Sequence, residues 1–136
     1  MKTIYTLLFI LITFSFSAQI EGTWRLAQIP GALAVGPSQT DYSWWSSSAT
    51  DIISRNCLFD DSITFNVNGD FLHYMDGYTW LEPFQGVTSE QCGVPVAPHD
   101  GAGSNTYSFL NNQLTVYGTG AHIGLAKVVN LGEIST

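Results

Sequence analysis

The chain has 136 residues and carries eleven acidic side chains against four basic ones, so its formal net charge at pH 7 is −7. Without Lys2, which belongs to a predicted leader, three basic residues face eleven acidic ones and the net charge becomes −8. Nucleic acid and anionic lipid are therefore not expected partners, because both are bound through clustered lysine and arginine. Neutral polymers, cations and other proteins remain as the classes of partner that the charge allows.

Residues 1–18 are typical of a secretory signal peptide. Lys2 gives a short positive start, residues 4–16 are largely apolar, and Ala18 supplies a small residue near the expected cleavage point. The apolar run is shorter than the roughly 20 residues that a membrane-spanning helix needs. We expect a secreted, periplasmic or cell-surface protein with no membrane span after cleavage, and a single β domain over residues 19–136.

Two cysteines, Cys57 and Cys92, are the only thiols of the chain. In an exported protein they most simply form a disulfide with each other, although two free thiols are the alternative. The chain-entropy model assigns roughly 4 kcal/mol to closing a loop of about 36 residues.

Strand signals recur along the chain with turn signals between them, which predicts an all-β fold. Residues 20–29 alternate apolar and polar side chains and indicate an opening strand with one buried face. Residues 62–75 contain two β-prone runs around Asn68-Gly69, and residues 106–118 contain two more around Asn111-Asn112. Both pairs predict antiparallel hairpins.

Only one short helix is expected, within residues 46–57, with Ser48 as its cap and Asp51 three residues later. Residues 83–105 are rich in proline and glycine, which predicts a long loop tied by Cys92 rather than a strand. The glycine-rich run from residue 118 onward holds no closing hairpin. We therefore expect a chain that lacks its last strands.

Two sequence patterns resemble known families. The "GTW" at residues 22–24 and the "FNVNGDF" at residues 65–71 resemble small lipocalin-like domains of secreted bacterial proteins. A longer ordered set resembles a domain of marine bacterial exported proteins that occurs beside laminarinase-like modules of glycoside hydrolase family 16. That set comprises "GTWRLA", "GALAVGP", "SWWSSSATDIISRNCLFDD", "FNVNGDF", "TWLEPFQGV", "CGVPVAPHDG" and "GTGAHIGLAKVVN".

The resemblance implies an antiparallel lipocalin-like barrel, or alternatively a β-sandwich, with Trp24 closing one end. It also implies a neighbouring catalytic domain and further strands after the present C-terminus, but it supplies no mechanism for the domain itself. The carboxylate cluster of family 16 catalysis is absent from the sequence. A lipocalin-like interior could hold one small apolar ligand unless aromatic side chains fill it.

The aromatic residues suggest a polysaccharide-binding surface, since the apolar face of a sugar stacks on indole and its hydroxyls need polar partners. The alternative is that these aromatics pack in the core. Because neighbouring side chains of an extended segment point to opposite sides, one tryptophan of "SWW" is expected to be buried and the other exposed. The predicted binding residues are Tyr42, Trp44, Trp45, Trp80, Asp60 and Asp61.

Catalytic and metal sites are not predicted. The aspartates and asparagines around residues 60–70 could supply oxygen ligands to calcium, but they lack the spacing of a known calcium loop. His99-Asp100 comes without a serine nucleophile motif, and the pair Glu82 and Glu90 is unspecific in so acidic a chain. We predict no cofactor and a non-catalytic accessory module that contacts polysaccharide, β-glucan in particular. A small glycoside hydrolase and a purely structural repeat are the alternatives.

Overall fold

The computed structural model describes residues 20–38 and 40–129. The predicted signal peptide and residues 130–136 lie outside the described residues. Within them, none of the helices has the length and apolar character that a membrane span requires.

Short antiparallel strands make up most of the regular structure. In chain order they are β1 Gly22–Trp24, β2 Ala34–Val35, β3 Trp45–Ser46, β4 Ser62–Phe65, β5 Asp70–Tyr74, β6 Thr79–Leu81, β7 Gln91–Gly93, β8 Asn105–Leu110 and β9 Gln113–Tyr117. The helices are α1 Ala49–Ser54 and α2 Asn56–Phe59, with 3-10 turns at Pro83–Gln85 and Ala126–Val129. The predicted all-β character is confirmed.

The strands form one five-stranded sheet and two small ones. The large sheet has the order β1-β4-β5-β8-β9, while β2 pairs with β3 and β6 pairs with β7. In the described part of the chain β1 and β9 are the edges of this sheet and do not pair with each other, so no barrel is closed. The enclosed interior expected of a lipocalin-like barrel is therefore not formed by these residues.

Both predicted hairpins are confirmed, with different turns. Asn111 and Asn112 both adopt positive φ and join β8 directly to β9 in a two-residue turn. At the β4–β5 hairpin only Gly69 has positive φ, and its N–H donates to the Asn66 carbonyl. That connection is therefore a longer loop that spans residues 66–69 and not a two-residue Asn-Gly turn.

The opening strand is shorter and more exposed than predicted. Of residues 20–29 only β1 is strand, and Trp24 is 49% exposed instead of sealing one end of a barrel. As an edge strand, β1 pairs on one side only, and its Trp24 borders an open groove. The expectation of one buried face was therefore wrong.

The prediction of an uninterrupted loop over residues 83–105 was also wrong. Residues 83–105 contain the strand β7, in which Cys92 lies opposite Trp80 of β6. Gly93 contributes to the loop prediction through the glycine content of the segment, but a Cβ at this position would lie 2.6 Å from Leu81 Cδ1. The glycine marks a close approach between paired strands, which is a recognised use of glycine within sheets.

The core lies on one face of the large sheet. Phe65 and Phe71 are buried there, with ring centroids 5.6 Å apart, and Tyr107 meets Phe65 edge-on at 4.9 Å. The disulfide Cys57–Cys92 is formed, with the two Cα atoms 6.0 Å apart, and it links α2 to β7. It thereby attaches the two small elements that position the residues of the candidate site.

Candidate functional site

The "SWW" segment lies on the small β2–β3 sheet, directly before α1. Trp45 pairs with Val35, and the Trp44 N–H donates to the Val35 carbonyl at 3.1 Å. Trp44 is 55% exposed, whereas Trp45 is partly buried. The two indoles thus differ in burial, as the alternation of side chains along an extended segment predicts.

Helix α1 follows because Ser48 and Asp51 form the predicted capping box. The Ser48 hydroxyl accepts from the Asp51 N–H at 3.1 Å, and the Asp51 carboxylate accepts from the Ser48 N–H at 2.8 Å. These two bonds satisfy backbone donors that every helix start leaves free. The helix ends at Ser54, so Arg55 is placed one turn after Asp51.

Arg55 organises the aromatic residues. Its guanidinium carbon lies 4.8 Å from the ring centroid of Trp45 and 4.3 Å from that of Trp80. One nitrogen also contacts the Glu90 carboxylate at 2.9 Å, and a second approaches Asp51 at 4.0 Å. Stacking and charge pairing together attach β3 to β6 and to the segment that precedes β7.

A cleft of about 160 Å³ opens beside this stack. Its lining residues are Val35, Trp44, Trp45, Arg55, Glu90, Leu125 and Lys127. It therefore combines two indoles with hydrogen-bonding donors and acceptors, and its size suits a single ring of a ligand. We call it the Trp44 cleft.

A buried carboxyl lies behind the Trp44 cleft. Glu82 is 2% exposed, and its Oε2 contacts Lys127 Nζ at 3.1 Å, while Oε1 has no hydrogen-bond partner among the described residues. Burial raises the pKa of Glu82, the ion pair with Lys127 opposes this rise, and the neighbouring Glu90 carboxyl adds to it. Two ion pairs, Lys127 with Glu82 and Arg55 with Glu90, thus lie side by side.

The predicted binding residues do not all meet at this cleft. Trp44 and Trp45 line it, and Trp80 belongs to it through the Arg55 stack, although its buried Nε1 has no partner among the described residues. Tyr42 is 62% exposed but does not line the cleft. The predicted set is therefore brought together only in part.

Asp60 and Asp61 are also absent from the cleft lining. Asp61 is buried and its Oδ2 accepts from Thr79 Oγ1 at 2.6 Å, while Oδ1 of Asp60 is buried without a partner in the described structure. Sequence proximity to the tryptophans was misleading, because α1 and α2 intervene and carry the chain to another part of the domain.

Arg55 and Lys127 were not predicted. The signal for Arg55 was its i,i+4 spacing from Asp51, which favours an ion pair on a helix. Lys127 lies far in sequence from the tryptophans of the cleft and had no local signal. Glu90 was considered only as one member of a carboxyl pair.

Three histidines meet elsewhere in the fold. The ring of His122 lies 4.9 Å from that of His73 and 5.9 Å from that of His99, between centroids. His73 is on β5, whereas His122 lies outside the strands. Burial lowers the pKa of all three, for His73 to about 4.

The pairing of His99 with Asp100 is not that of a catalytic dyad. Asp100 Oδ1 accepts from the Ala102 N–H at 3.1 Å, and the His99 ring packs edge-on against Phe84 at 5.6 Å. Within residues 20–38 and 40–129, no three histidine, cysteine or acidic side chains are arranged to hold a metal ion.

Comparison with protein-family models, with curated proteins and with solved structures found no match to this chain. The resemblance to lipocalin-like and laminarinase-associated domains therefore stays a prediction.

Replacing Arg55 by lysine is expected to lower the free energy of unfolding by about 1–2 kcal/mol, because lysine keeps the charge but loses the planar fork and the double stack. Urea denaturation followed by tryptophan fluorescence measures this loss. Arg25→Lys is the matched control, since Arg25 is exposed and makes no ion pair among the described residues. Equal losses in the two variants would show that the stack contributes nothing.

Proposed function

We propose that this protein is an exported, non-catalytic accessory module that binds a neutral polysaccharide, β-glucan in particular, at the Trp44 cleft. The observation that carries the proposal is the exposed Trp44 indole beside the side chains of Arg55, Glu90 and Lys127. An indole face offers the apolar contact that a sugar ring needs, and the charged side chains offer donors and acceptors to its hydroxyls.

Trp44 is the tryptophan assigned to the sugar. Trp45 and Trp80 each have a ring face against the Arg55 guanidinium, so their stacking surface is already partly used. They hold the cleft in place, and Trp44, more than half exposed, remains available. This division answers which indole of "SWW" anchors the segment and which one meets a partner.

The proposed ligand is neutral because the charges of the cleft are already paired. Arg55 pairs with Glu90 and Lys127 pairs with Glu82, each within 3.1 Å. An anionic polysaccharide would have to compete with these carboxylates and would also meet the strongly acidic chain around them. A neutral sugar can use the outer donors and acceptors without breaking either pair.

Export is supported by the signal-peptide pattern, and a neighbouring catalytic domain by the sequence resemblance. Export and the neighbouring catalytic domain are both parts of this proposal.

The hydrolase alternative has less support from the geometry, because a retaining glycosidase holds its two carboxyls about 5–5.5 Å apart and an inverting one holds them further apart. Glu82 is almost fully buried and paired with Lys127, and Glu90 is paired with Arg55, so neither carboxyl is free to act on a sugar.

Affinity electrophoresis through gels that contain laminarin, with alginate gels for comparison, tests the proposal. We expect laminarin to retard the wild-type mature protein and alginate not to retard it. Trp44→Ala should migrate as if no glucan were present, whereas Trp24→Ala should still be retarded, since Trp24 is about equally exposed but lines no part of the cleft. Migration unchanged by laminarin and by other neutral glucans would contradict the proposal and favour a structural spacer domain.

A further inference from the structure

A groove remains open beside the large sheet and shares no lining residue with the Trp44 cleft. It consists of two depressions that share Trp24, Ile63 and Ile123 as lining residues. The wider depression has a volume of about 300 Å³ and only apolar lining residues. The narrower one has about 80 Å³, and its polar lining residues are Arg25, Asp61 and His73. The groove is thus apolar along most of its length, with polar groups at one end.

Asp61 is the polar group of the groove whose carboxyl lacks a hydrogen-bond donor at one oxygen. It is 6% exposed, and Thr79 Oγ1 donates to its Oδ2 at 2.6 Å, but Oδ1 has no hydrogen-bond partner among the described residues. A buried carboxyl oxygen without a donor is costly. A ligand that placed a donor at this oxygen would remove the cost.

The charges around Asp61 favour a cationic donor. Burial, with smaller contributions from the neighbouring Asp60 and Asp76, raises the pKa of Asp61 to about 7, although the Thr79 hydrogen bond acts to lower it. Arg25 lines the same depression, but neither it nor any other lysine or arginine forms an ion pair with these three aspartates in the described part of the chain. The His73 imidazole that also lines this end stays neutral in the fold until the pH approaches 4.

We propose that this groove binds a small amphipathic amine, with its alkyl or aromatic body against Trp24 and Ile63 and its ammonium group at Asp61 Oδ1. An apolar cavity of about 150 Å³ is enough to hold benzene, so a single ring fits the wider depression. The ammonium group supplies both the missing donor and the missing positive charge. This site is independent of the polysaccharide function.

The test compares 2-phenylethylamine with 2-phenylethanol, which has the same ring and spacer but no charge. Calorimetric titration of the mature protein at pH 8 should give the amine at least about tenfold tighter binding than the alcohol. Asp61→Asn, which keeps the shape and the acceptor for Thr79, should bring the two affinities to within about threefold. Asp76→Asn, at an exposed position, is the matched control and should preserve the preference.

The pH dependence tests the same contact in the unaltered protein. Lowering the pH from 8 to 6 protonates Asp61, so amine binding should weaken by about tenfold while alcohol binding stays constant. This measurement remains informative even where Asp61→Asn fails to fold. Equal affinities for amine and alcohol, an amine affinity independent of pH, or the absence of binding by either probe would overturn the proposal. A dimer detected by sedimentation, in which a second copy of the chain covers Trp24, would overturn the proposal as well.

Discussion

Removing the disulfide should lower the free energy of unfolding by about 4 kcal/mol. Cys57 and Cys92 lie 35 positions apart, and freeing them restores to the unfolded chain the conformations that the closed loop excludes. The variant Cys57→Ala/Cys92→Ala is preferred to serine, since Cys57 is buried and a hydroxyl there would need a partner. Guanidinium denaturation of the oxidised wild type and of the double variant measures the difference.

Measuring the reduced wild type distinguishes the effect of losing the disulfide bond from the effect of replacing the cysteine side chains. With a reductant present, the wild type should lose nearly as much stability as the double variant, and the reductant should not affect the variant. Because Glu90 precedes β7, which the disulfide holds, sugar binding should weaken with stability. A loss below about 1 kcal/mol in both cases would show that the β6–β7 pairing holds this region without the bond.

Acidification should destabilise the fold through His73 by about 3 kcal/mol between pH 7 and pH 4. Burial, with a smaller contribution from His122, lowers the pKa of His73 from 6.5 to about 4. The fold therefore favours the neutral imidazole, and the stabilisation that His73 contributes is fully present above pH 6.5. It is lost as the pH falls towards 4, because only the unfolded chain binds the proton in that range.

Asp61 titrates in the opposite sense and offsets this effect in the wild type. Its pKa of about 7 lies above the ordinary value of 3.8, so the protonated form is favoured in the fold and stability is gained as the pH falls through 7. His73→Phe should make the protein about 3 kcal/mol less sensitive to acid than the wild type, and Asp61→Asn should make it more sensitive. Urea denaturation at both pH values measures these changes. Identical pH profiles for the wild type and His73→Phe would contradict the buried, neutral state of His73.

Features that depend on a few neighbouring residues could be predicted from the sequence. The helix start at Ser48 and Asp51 and the turn at Asn111-Asn112 follow from the conformations of those residues themselves. The disulfide followed from there being two cysteines in a chain with a predicted signal peptide. In each case a short segment or a simple count carried the whole signal.

Features that depend on distant residues could not be predicted in this way. The pairing of β6 with β7 places a glycine inside a strand, where composition alone indicates a loop. The Arg55 stack joins residues from three separate elements, and Asp61 is near Trp45 in sequence but outside its cleft. Such neighbours are chosen by packing, and neither periodicity nor spacing carries that information.

The most direct test of the proposed sugar site is a fluorescence titration of the mature protein with laminarin, repeated with Trp44→Ala and with Trp24→Ala. The Trp44 cleft predicts a saturable change in tryptophan emission for the wild type and for Trp24→Ala, and its loss in a folded Trp44→Ala variant. No change in the wild type, or a change that survives in Trp44→Ala, would contradict the assignment of the cleft to sugar binding.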